Sequence, residues 1–286
     1  MQKLITSAAD LAINGATPAF SKPLHVGRPN IGNREAFLAR VNEILDSQWL
    51  TNNGPMVQEF ERRIAERVGV RHCVAMCNAT IALEIAIRAL GLSGEVIVPS
   101  WTFVATAHAL YWQGITPVFA DIDPDTHNLV PDAVRRMITP RTSGIIGVHL
   151  WGRAAPIDEL QAIADEHGLK LMFDAAHAFG SSYKGQSIGR FGACEVFSFH
   201  ATKAFNTMEG GAVVTNDDEL AEAMRHEAHP RQSWFRHPRA PIWHWPHTAS
   251  WRTRHSSRIM SRRLDNRIPG RSSLAAMTRG NLSCTF

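Results

Sequence analysis

The sequence lacks any run of about 18 consecutive apolar residues, which argues against a membrane-spanning helix. Its first 15 residues, MQKLITSAADLAING, also lack the charged start and continuous apolar core of a secretory signal. We therefore expect a cytoplasmic location and no membrane partner. With 44% hydrophobic and 20% charged residues, the 286-residue chain has the composition of an ordinary globular protein.

The chain has few cysteines, and their spacing fits neither a disulfide framework nor a zinc site. They are Cys73, Cys77, Cys194 and Cys284. Cys73 and Cys77 lie within and just after an apolar run, so we predict that both are buried, reduced thiols. This use of cysteine fits a reducing compartment and gives no reason to expect a metal.

Lysine is absent from residues 226–286, where 11 Arg and only two acidic residues give a net charge of +9. The first 225 residues carry 19 basic and 24 acidic residues, a net charge of −5. The overall charge of +4 therefore joins an acidic body to a basic tail. The tail also holds four of the eight Trp and six of the 14 His, without a sustained helix or strand period.

Short apolar runs alternate with helical periodicity between Arg71 and Thr215. The runs predict seven strands, at residues 73–77, 95–98, 117–120, 145–149, 169–173, 194–199 and 211–215. The periodic segments predict helices at residues 34–47, 57–68, 80–90, 104–112 and 157–167. This alternation predicts an α/β fold in which a mainly parallel seven-stranded sheet carries helices on both faces.

Asp174, in the motif FDAAHAFG, closes an apolar strand. Ligands of open α/β sheets bind at the carboxyl ends of the strands, so an acid here can take part in chemistry. A carboxylate can pair with the protonated ring nitrogen of pyridoxal phosphate (PLP), which needs such a partner to act as an electron sink. The alternative is a turn or helix cap, a position that Asp also favours.

Lys203, in the motif FSFHATKAFNTMEGG, lies between two apolar strands in surroundings that are apolar and hydroxyl-bearing. A lysine is ordinarily a solvated surface group. Burial lowers the pKa of a lysine and makes it a usable amine nucleophile, as Schiff-base chemistry requires. Ser198, five residues earlier, can bind a phosphate or serve as a turn hydroxyl.

The Asn-Ala-Thr turn at residues 78–80 lies between a predicted strand and a predicted helix. The free N–H groups and positive dipole end of a helix N-terminus suit a phosphate, and Thr80 adds a hydroxyl. A plain helix cap explains the same residues, because Asn and Thr both favour that position.

Together these segments resemble the DegT/DnrJ/StrS family of PLP-dependent nucleotide-sugar aminotransferases, within the aspartate-aminotransferase-like fold. The resemblance covers about residues 24–225. It includes the motifs VGRPN, WLTNNGP, VPSWTFVATAHA, FADIDP, HLWGRAAPIDEL, FDAAHAFGSSYKG and FSFHATKAFNTMEGGAVVTND. It implies a fold type I large domain, followed in family members by a smaller C-terminal domain.

The resemblance also implies a role for each site residue. Lys203 would be the Schiff-base lysine that moves the proton in the transamination step, and Asp174 would pair with the pyridinium nitrogen. His177 would contact the cofactor ring near its phenolic oxygen. The phosphate would be held by Ser198 and by the turn that contains Ala79 and Thr80. The aromatic ring of Phe103 would stack on the cofactor, although without the family pattern an ordinary core position is the favoured interpretation of that residue.

The activity that the resemblance implies is transfer of an amino group from glutamate to a nucleotide-linked keto-sugar, typically a 4-keto-6-deoxyhexose. The product would serve amino-sugar or polysaccharide biosynthesis, and the enzyme would be a homodimer. One alternative is an inactive PLP-binding remnant or sensor. Another is a PLP-dependent dehydratase, which Lys203 disfavours because that branch of the family carries histidine at this position.

Nothing after Ala228 resembles the family, so we predict three parts: an N-terminal segment (residues 1–23), a PLP-binding large domain (24–225) and a basic tail (226–286). The tail would stand where the family has its small domain. We interpret it as a disordered or out-of-frame segment, because frameshifted GC-rich coding DNA is rich in Arg, Ser, Pro, His and Trp codons. A genuine basic extension is the alternative, but without a recognisable binding module we do not expect a nucleic-acid partner.

Overall fold

The structure is a computed structural model that describes residues 6–18, 20–22, 25 and 27–228. After two short 3₁₀ turns come helices α1 (Arg34–Ser47) and α2 (Pro55–Val68). The Asn33 side chain caps α1 by accepting a hydrogen bond from the Ala36 amide at 3.0 Å. Pro55 opens α2, and Gly69 closes it with a left-handed φ of 83°.

A seven-stranded sheet follows, with spatial order β1-β9-β8-β5-β4-β2-β3. Its strands are β1 (His72–Met76), β2 (Glu95–Pro99), β3 (Thr116–Ala120), β4 (Thr142–Val148), β5 (Lys170–Asp174), β8 (Cys194–Ser198) and β9 (Gly211–Thr215). Only β9 runs against its neighbours, because it pairs antiparallel with both β1 and β8. The two-residue strands β6 (Ser182–Tyr183) and β7 (Gln186–Ser187) form a separate hairpin.

Helices cover both faces of the sheet. The remaining ones are α3 (Ala79–Ala89), α4 (Val104–Tyr111), α5 (Pro131–Met137), α6 (Ile157–His167) and α7 (Asp218–Ala228). One apolar core joins the sheet to α2, α5 and α6, and a second joins it to α3, α4 and α7. The carboxyl ends of β1, β4, β5 and β8 therefore meet at one rim of a rigid, doubly covered sheet.

The predicted α/β class and the seven main strands are confirmed, whereas α5, α7 and the hairpin were not predicted. The prediction of a buried thiol holds for Cys73 but is wrong for Cys77, which is exposed because it lies beyond the last residue of β1. Burial raises the pKa of the Cys73 and Cys194 thiols. Among the described helices, none is long and apolar enough to cross a membrane.

Candidate PLP site

A cavity of about 440 Å³ opens at the rim where the parallel strands end. All seven residues predicted from the sequence lie around it: Ala79, Thr80, Phe103, Asp174, His177, Ser198 and Lys203. They come from five separate segments of the chain, so the fold brings together side chains that the sequence keeps far apart. Their individual roles stay predictions.

Lys203 lies in the loop after β8, where its amide N–H donates to the His200 carbonyl at 2.9 Å. The side chain is half-buried in the cavity wall. Burial lowers the pKa of Lys203 below its usual value, and the opposing attraction of Asp174 is the smaller effect. Within the described residues its Nζ has no hydrogen-bond or ion-pair partner at contact distance, which leaves the amine free to react.

Asp174, the last residue of β5, is only 5% exposed. Its Oδ1 accepts a hydrogen bond from the Ala176 amide at 3.0 Å, and its Oδ2 accepts one from the Thr106 hydroxyl at 2.8 Å. The Thr106 hydroxyl also lies 2.8 Å from that of Thr102. Asp174 therefore has the predicted turn contact and also lines the cavity, while its pairing with a ring nitrogen stays a prediction.

His177 stands between Lys203 and the loop after β4. Its Nδ1 accepts a hydrogen bond from the Trp151 amide at 3.3 Å, so the ring keeps Nε2 for another partner. Partial burial lowers the pKa of His177, and the charge of Lys203 lowers it further against the smaller attraction of Asp174. An imidazole and a lysine whose pKa values are both lowered are suited to contact an oxygen of a bound ring.

An anion cradle surrounds the start of α3. The Asn78 side chain caps the helix by accepting from the Ile81 amide at 2.9 Å. The amides of Ala79 and Thr80 therefore remain without an intrahelical acceptor at the cavity wall. Ser198 contributes a hydroxyl, and Gly211 allows the close approach of β9, since a Cβ there would lie 2.5 Å from the Ala79 nitrogen.

Phe103 precedes α4 and is 70% exposed, with its ring at the cavity. It is not the ordinary core aromatic that the sequence left open as an alternative. An exposed aromatic face at a cavity suits a flat ligand ring.

The sequence reasoning missed a buried pair beneath the site, formed by His149 and Glu195, both fully buried. His149 Nδ1 accepts from the Ala155 amide at 3.0 Å, so its Nε2 proton points to Glu195 Oε2 at 3.1 Å. The other carboxylate oxygen accepts from the Gly189 and Phe191 amides, both at 2.8 Å. A lone acid within the apolar strand CEVFS was the available signal.

His149 ties this pair to the site. Its amide donates to the Asp174 carbonyl at 2.9 Å, its ring stacks on Phe173 at 4.7 Å, and it lines the cavity. The contact from His149 to Glu195 thus passes across β5, the strand that carries Asp174. The sequence reasoning also missed Thr106, which is fully buried behind Asp174.

A second depression, of about 540 Å³, lies at the opposite rim of the sheet, around the start of β8 and the end of β9. Of the two arginines that line it, Arg71 and Arg190, the first is already paired with Asp218 at 2.8 Å and is also bonded to Asn216. None of the predicted site residues lies there, so this depression plays no part in the candidate site.

The residues around the cavity fit PLP. An amine of lowered pKa, a buried carboxylate, a helix N-terminus with two free amides and an exposed aromatic face match its aldehyde, ring nitrogen, phosphate and ring. The donor set contains one partner for each chemical group of the cofactor.

The profile of the DegT/DnrJ/EryC1/StrS aminotransferase family matches residues 32–235, well over half of the chain. The chain belongs to this family. The resemblance drawn from the motifs is therefore confirmed. The proposed boundaries of the three parts remain predictions, and the tail interpretation concerns residues that, from 229 onward, lie outside the described part of the chain.

Two curated members of the family, from Shigella dysenteriae and Escherichia coli, are dTDP-4-amino-4,6-dideoxy-D-glucose transaminases. The Shigella protein is 44% identical over 201 residues, which are 70% of this chain and 55% of the relative. The E. coli protein is 40% identical over 199 residues, which are 68% of this chain and 53% of the relative. The chain thus spans about half the length of the curated relatives it matches.

Solved structures of family members superpose on the same region. DesI, crystallised in the presence of its TDP-sugar product, matches with a TM-score of 0.72 and 58% identity over 77% of this chain and 56% of DesI. PseC of Helicobacter pylori, an aminotransferase of pseudoaminic acid biosynthesis, matches with a TM-score of 0.67 and 35% identity over 72% of this chain and 55% of PseC. The sugar aminotransferase fold is therefore confirmed for the described sheet and its helices.

Proposed function

We propose that this protein is a PLP-dependent aminotransferase that acts on a nucleotide-linked keto-sugar. The observation that carries the proposal is that an amine and a carboxylate line the same cavity. Lys203 presents an amine of lowered pKa and Asp174 a buried carboxylate. A structural role does not call for an unpaired lysine at this position, whereas Schiff-base chemistry does.

The residues would share the work as follows. Asp174 would hold the proton of the ring nitrogen, and the amides of Ala79 and Thr80 with the Ser198 hydroxyl would bind the phosphate. When bound, PLP supplies the electron sink that stabilises a carbanion at the reacting carbon. Lys203 would hold the cofactor at its aldehyde through Nζ, and the same amine, whose pKa is lowered, would hold or move a proton at the substrate.

The substrate class is supported by the relatives. The curated ones are named as transaminases of a dTDP-linked amino-sugar, and DesI was crystallised with a TDP-sugar product. Glutamate as amino donor and a homodimer are proposed on the family resemblance alone, and a cytoplasmic location is proposed on the use of cysteine. The presence of Lys203 favours amine transfer over the dehydratase branch.

The test uses the purified full chain with added PLP, reduced with borohydride and mapped by peptide mass spectrometry. We expect the label on Lys203, its loss in Lys203→Gln, and its retention in Lys184→Gln, which removes a surface lysine paired with Asp158. Label spread over surface lysines would overturn the PLP site.

A second stage separates binding from turnover. A separate, unreduced sample of the same PLP-loaded preparation is given glutamate and a dTDP-linked 4-keto-6-deoxyhexose, and the amino-sugar is measured by mass spectrometry. Product formation supports the transaminase. Labelling without product, at any enzyme concentration, would identify the chain as a PLP-binding remnant and refute the proposed activity.

A further inference from the structure

Three aromatic side chains, Trp101, His127 and Trp151, form a cluster at the rim of the sheet. The ring centroids of Trp101 and His127 lie 6.3 Å apart, and those of His127 and Trp151 lie 5.4 Å apart in an edge-to-face arrangement. The two tryptophans are 52% and 66% exposed. Single exposed aromatic rings occur elsewhere on this chain, but here three rings in contact form one patch at the rim.

The aromatic cluster adjoins the candidate PLP site. Trp101 follows the end of β2 and immediately precedes Thr102 and Phe103, which line the cavity. Trp151 follows the cavity residue Leu150, and its amide donates to Nδ1 of His177. Two of the three rings are thus attached to segments that form the cavity wall.

Two of the three residues have unfavourable backbone geometry. His127 has a φ of 59° and Trp151 a φ of 52°, values in the left-handed region that glycine and asparagine adopt more readily. Residues held in such conformations tend to occur at ligand-binding and catalytic positions. The fold does not require a bulky exposed ring at either place.

The two loops that carry these residues are fastened to each other. Arg153 Nη1 donates to the Asp125 carbonyl at 3.0 Å, and the buried Asn128 side chain donates to the Ala154 carbonyl at 3.0 Å. The part of the aromatic cluster formed by His127 and Trp151 is therefore held in place before any ligand arrives. A surface fixed in advance loses little conformational freedom on binding.

We propose that the aromatic cluster is a stacking surface for the base of the nucleoside diphosphate in the substrate. This inference rests on the proposed function, because it takes the substrate to be a nucleotide-linked sugar. The cavity of about 440 Å³ would hold the cofactor and the reacting sugar, which would place the nucleotide outside it, at the rim. A flat base gains stacking energy on exposed tryptophan, and the exposed cation Arg153 lies two residues from Trp151.

The experiment measures binding of thymidine diphosphate, and separately of inorganic pyrophosphate, to the full chain by calorimetry. Trp101→Ala removes one ring. Trp151→Asn removes another without adding backbone strain, because asparagine tolerates a positive φ. Trp112→Ala is the control, since Trp112 is 61% exposed and also lies against a histidine, His108, at 5.6 Å.

We expect thymidine diphosphate to bind on the order of tenfold more weakly to each cluster variant, with unchanged binding to Trp112→Ala. Pyrophosphate binding should change in none of the three, since it offers no ring. Borohydride trapping of PLP on Lys203 should persist in all of them. That readout needs no nucleotide, so failure of the PLP site and failure of the stacking surface can be told apart.

Three results would overturn the inference. One is an unchanged thymidine diphosphate affinity in both cluster variants. Another is an equal loss of pyrophosphate affinity, which would indicate general damage to the rim. The third is a change in oligomeric state on sedimentation with nucleotide affinity intact, which would make the aromatic cluster an interface between protein chains.

Discussion

Removing the Glu195 carboxylate should cause a large loss in the free energy of unfolding. The carboxylate accepts three hydrogen bonds, from His149 and from the Gly189 and Phe191 amides, at 2.8–3.1 Å with no exposure to water. Glu195→Ala leaves three buried donors unpaired. Each buried donor left unsatisfied costs about 1–3 kcal/mol, so three of them cost at least about 3 kcal/mol, a large share of the roughly 5–15 kcal/mol that stabilises a domain.

Glu195→Gln tests the same contact with less disturbance. The new carbonyl still accepts from the Gly189 and Phe191 amides, but its NH₂ faces the Nε2 proton of His149. That proton cannot move to Nδ1, because Nδ1 accepts from Ala155. The Nε2–H of His149 and the facing NH₂ group are both left without an acceptor in this contact, and each unsatisfied donor costs about 1–3 kcal/mol.

The assay is urea unfolding of the full chain followed by circular dichroism, with Glu222→Gln on the exposed side of α7 as control. We expect Glu195→Ala to lose the most free energy of unfolding, Glu195→Gln less, and the control within about 0.5 kcal/mol of the parent. A loss below about 1 kcal/mol for Glu195→Ala would show that this pair does not hold the strand that carries Asp174.

Two further predictions follow from the site. Acetylation of the two lysines with acetic anhydride can be followed over pH by mass spectrometry. The midpoint should lie below 10.5 for Lys203, whose pKa is lowered by burial, and above 10.5 for Lys184, whose pKa is raised by Asp158. Equal midpoints would contradict the desolvation argument. Gly211→Ala should lower both the free energy of unfolding and the affinity for PLP measured by absorbance, because its Cβ would lie 2.5 Å from the Ala79 nitrogen. The control Gly32→Ala has open space around its Cβ and should match the parent in both measurements.

The sequence predicted the sheet because most strands are continuous apolar runs, and it predicted the site because strand ends carry the reactive residues. It placed the start of β4 three residues late, since Thr142, Ser143 and Gly144 are not apolar. Gly144 is small for a reason invisible in the sequence: a Cβ there would lie 2.7 Å from the Leu92 side chain. Helix α5 was missed because its seven residues are too few to show a helical period.

Pairwise contacts were the other limit. Nothing local links His149 to Glu195, which are 46 positions apart, and the exposure of Cys77 depends on where β1 stops. The roles of single residues came from the family motifs, while the aromatic cluster appeared only when three loops met at one rim. Periodicity reports which face of an element is buried, not which distant side chain it touches.

The position of β9 late in the sequence also determines when the site can form during synthesis. Among the described strands, β1 pairs only with β9, and Arg71 meets Asn216 across 145 positions of sequence. At about 5–20 residues per second, a ribosome needs roughly 7–30 s between making the two strands. Throughout that interval, the turn that would bind the phosphate follows a strand that has no partner. A nascent chain can therefore form its cofactor site only after nearly all of the described sequence has emerged.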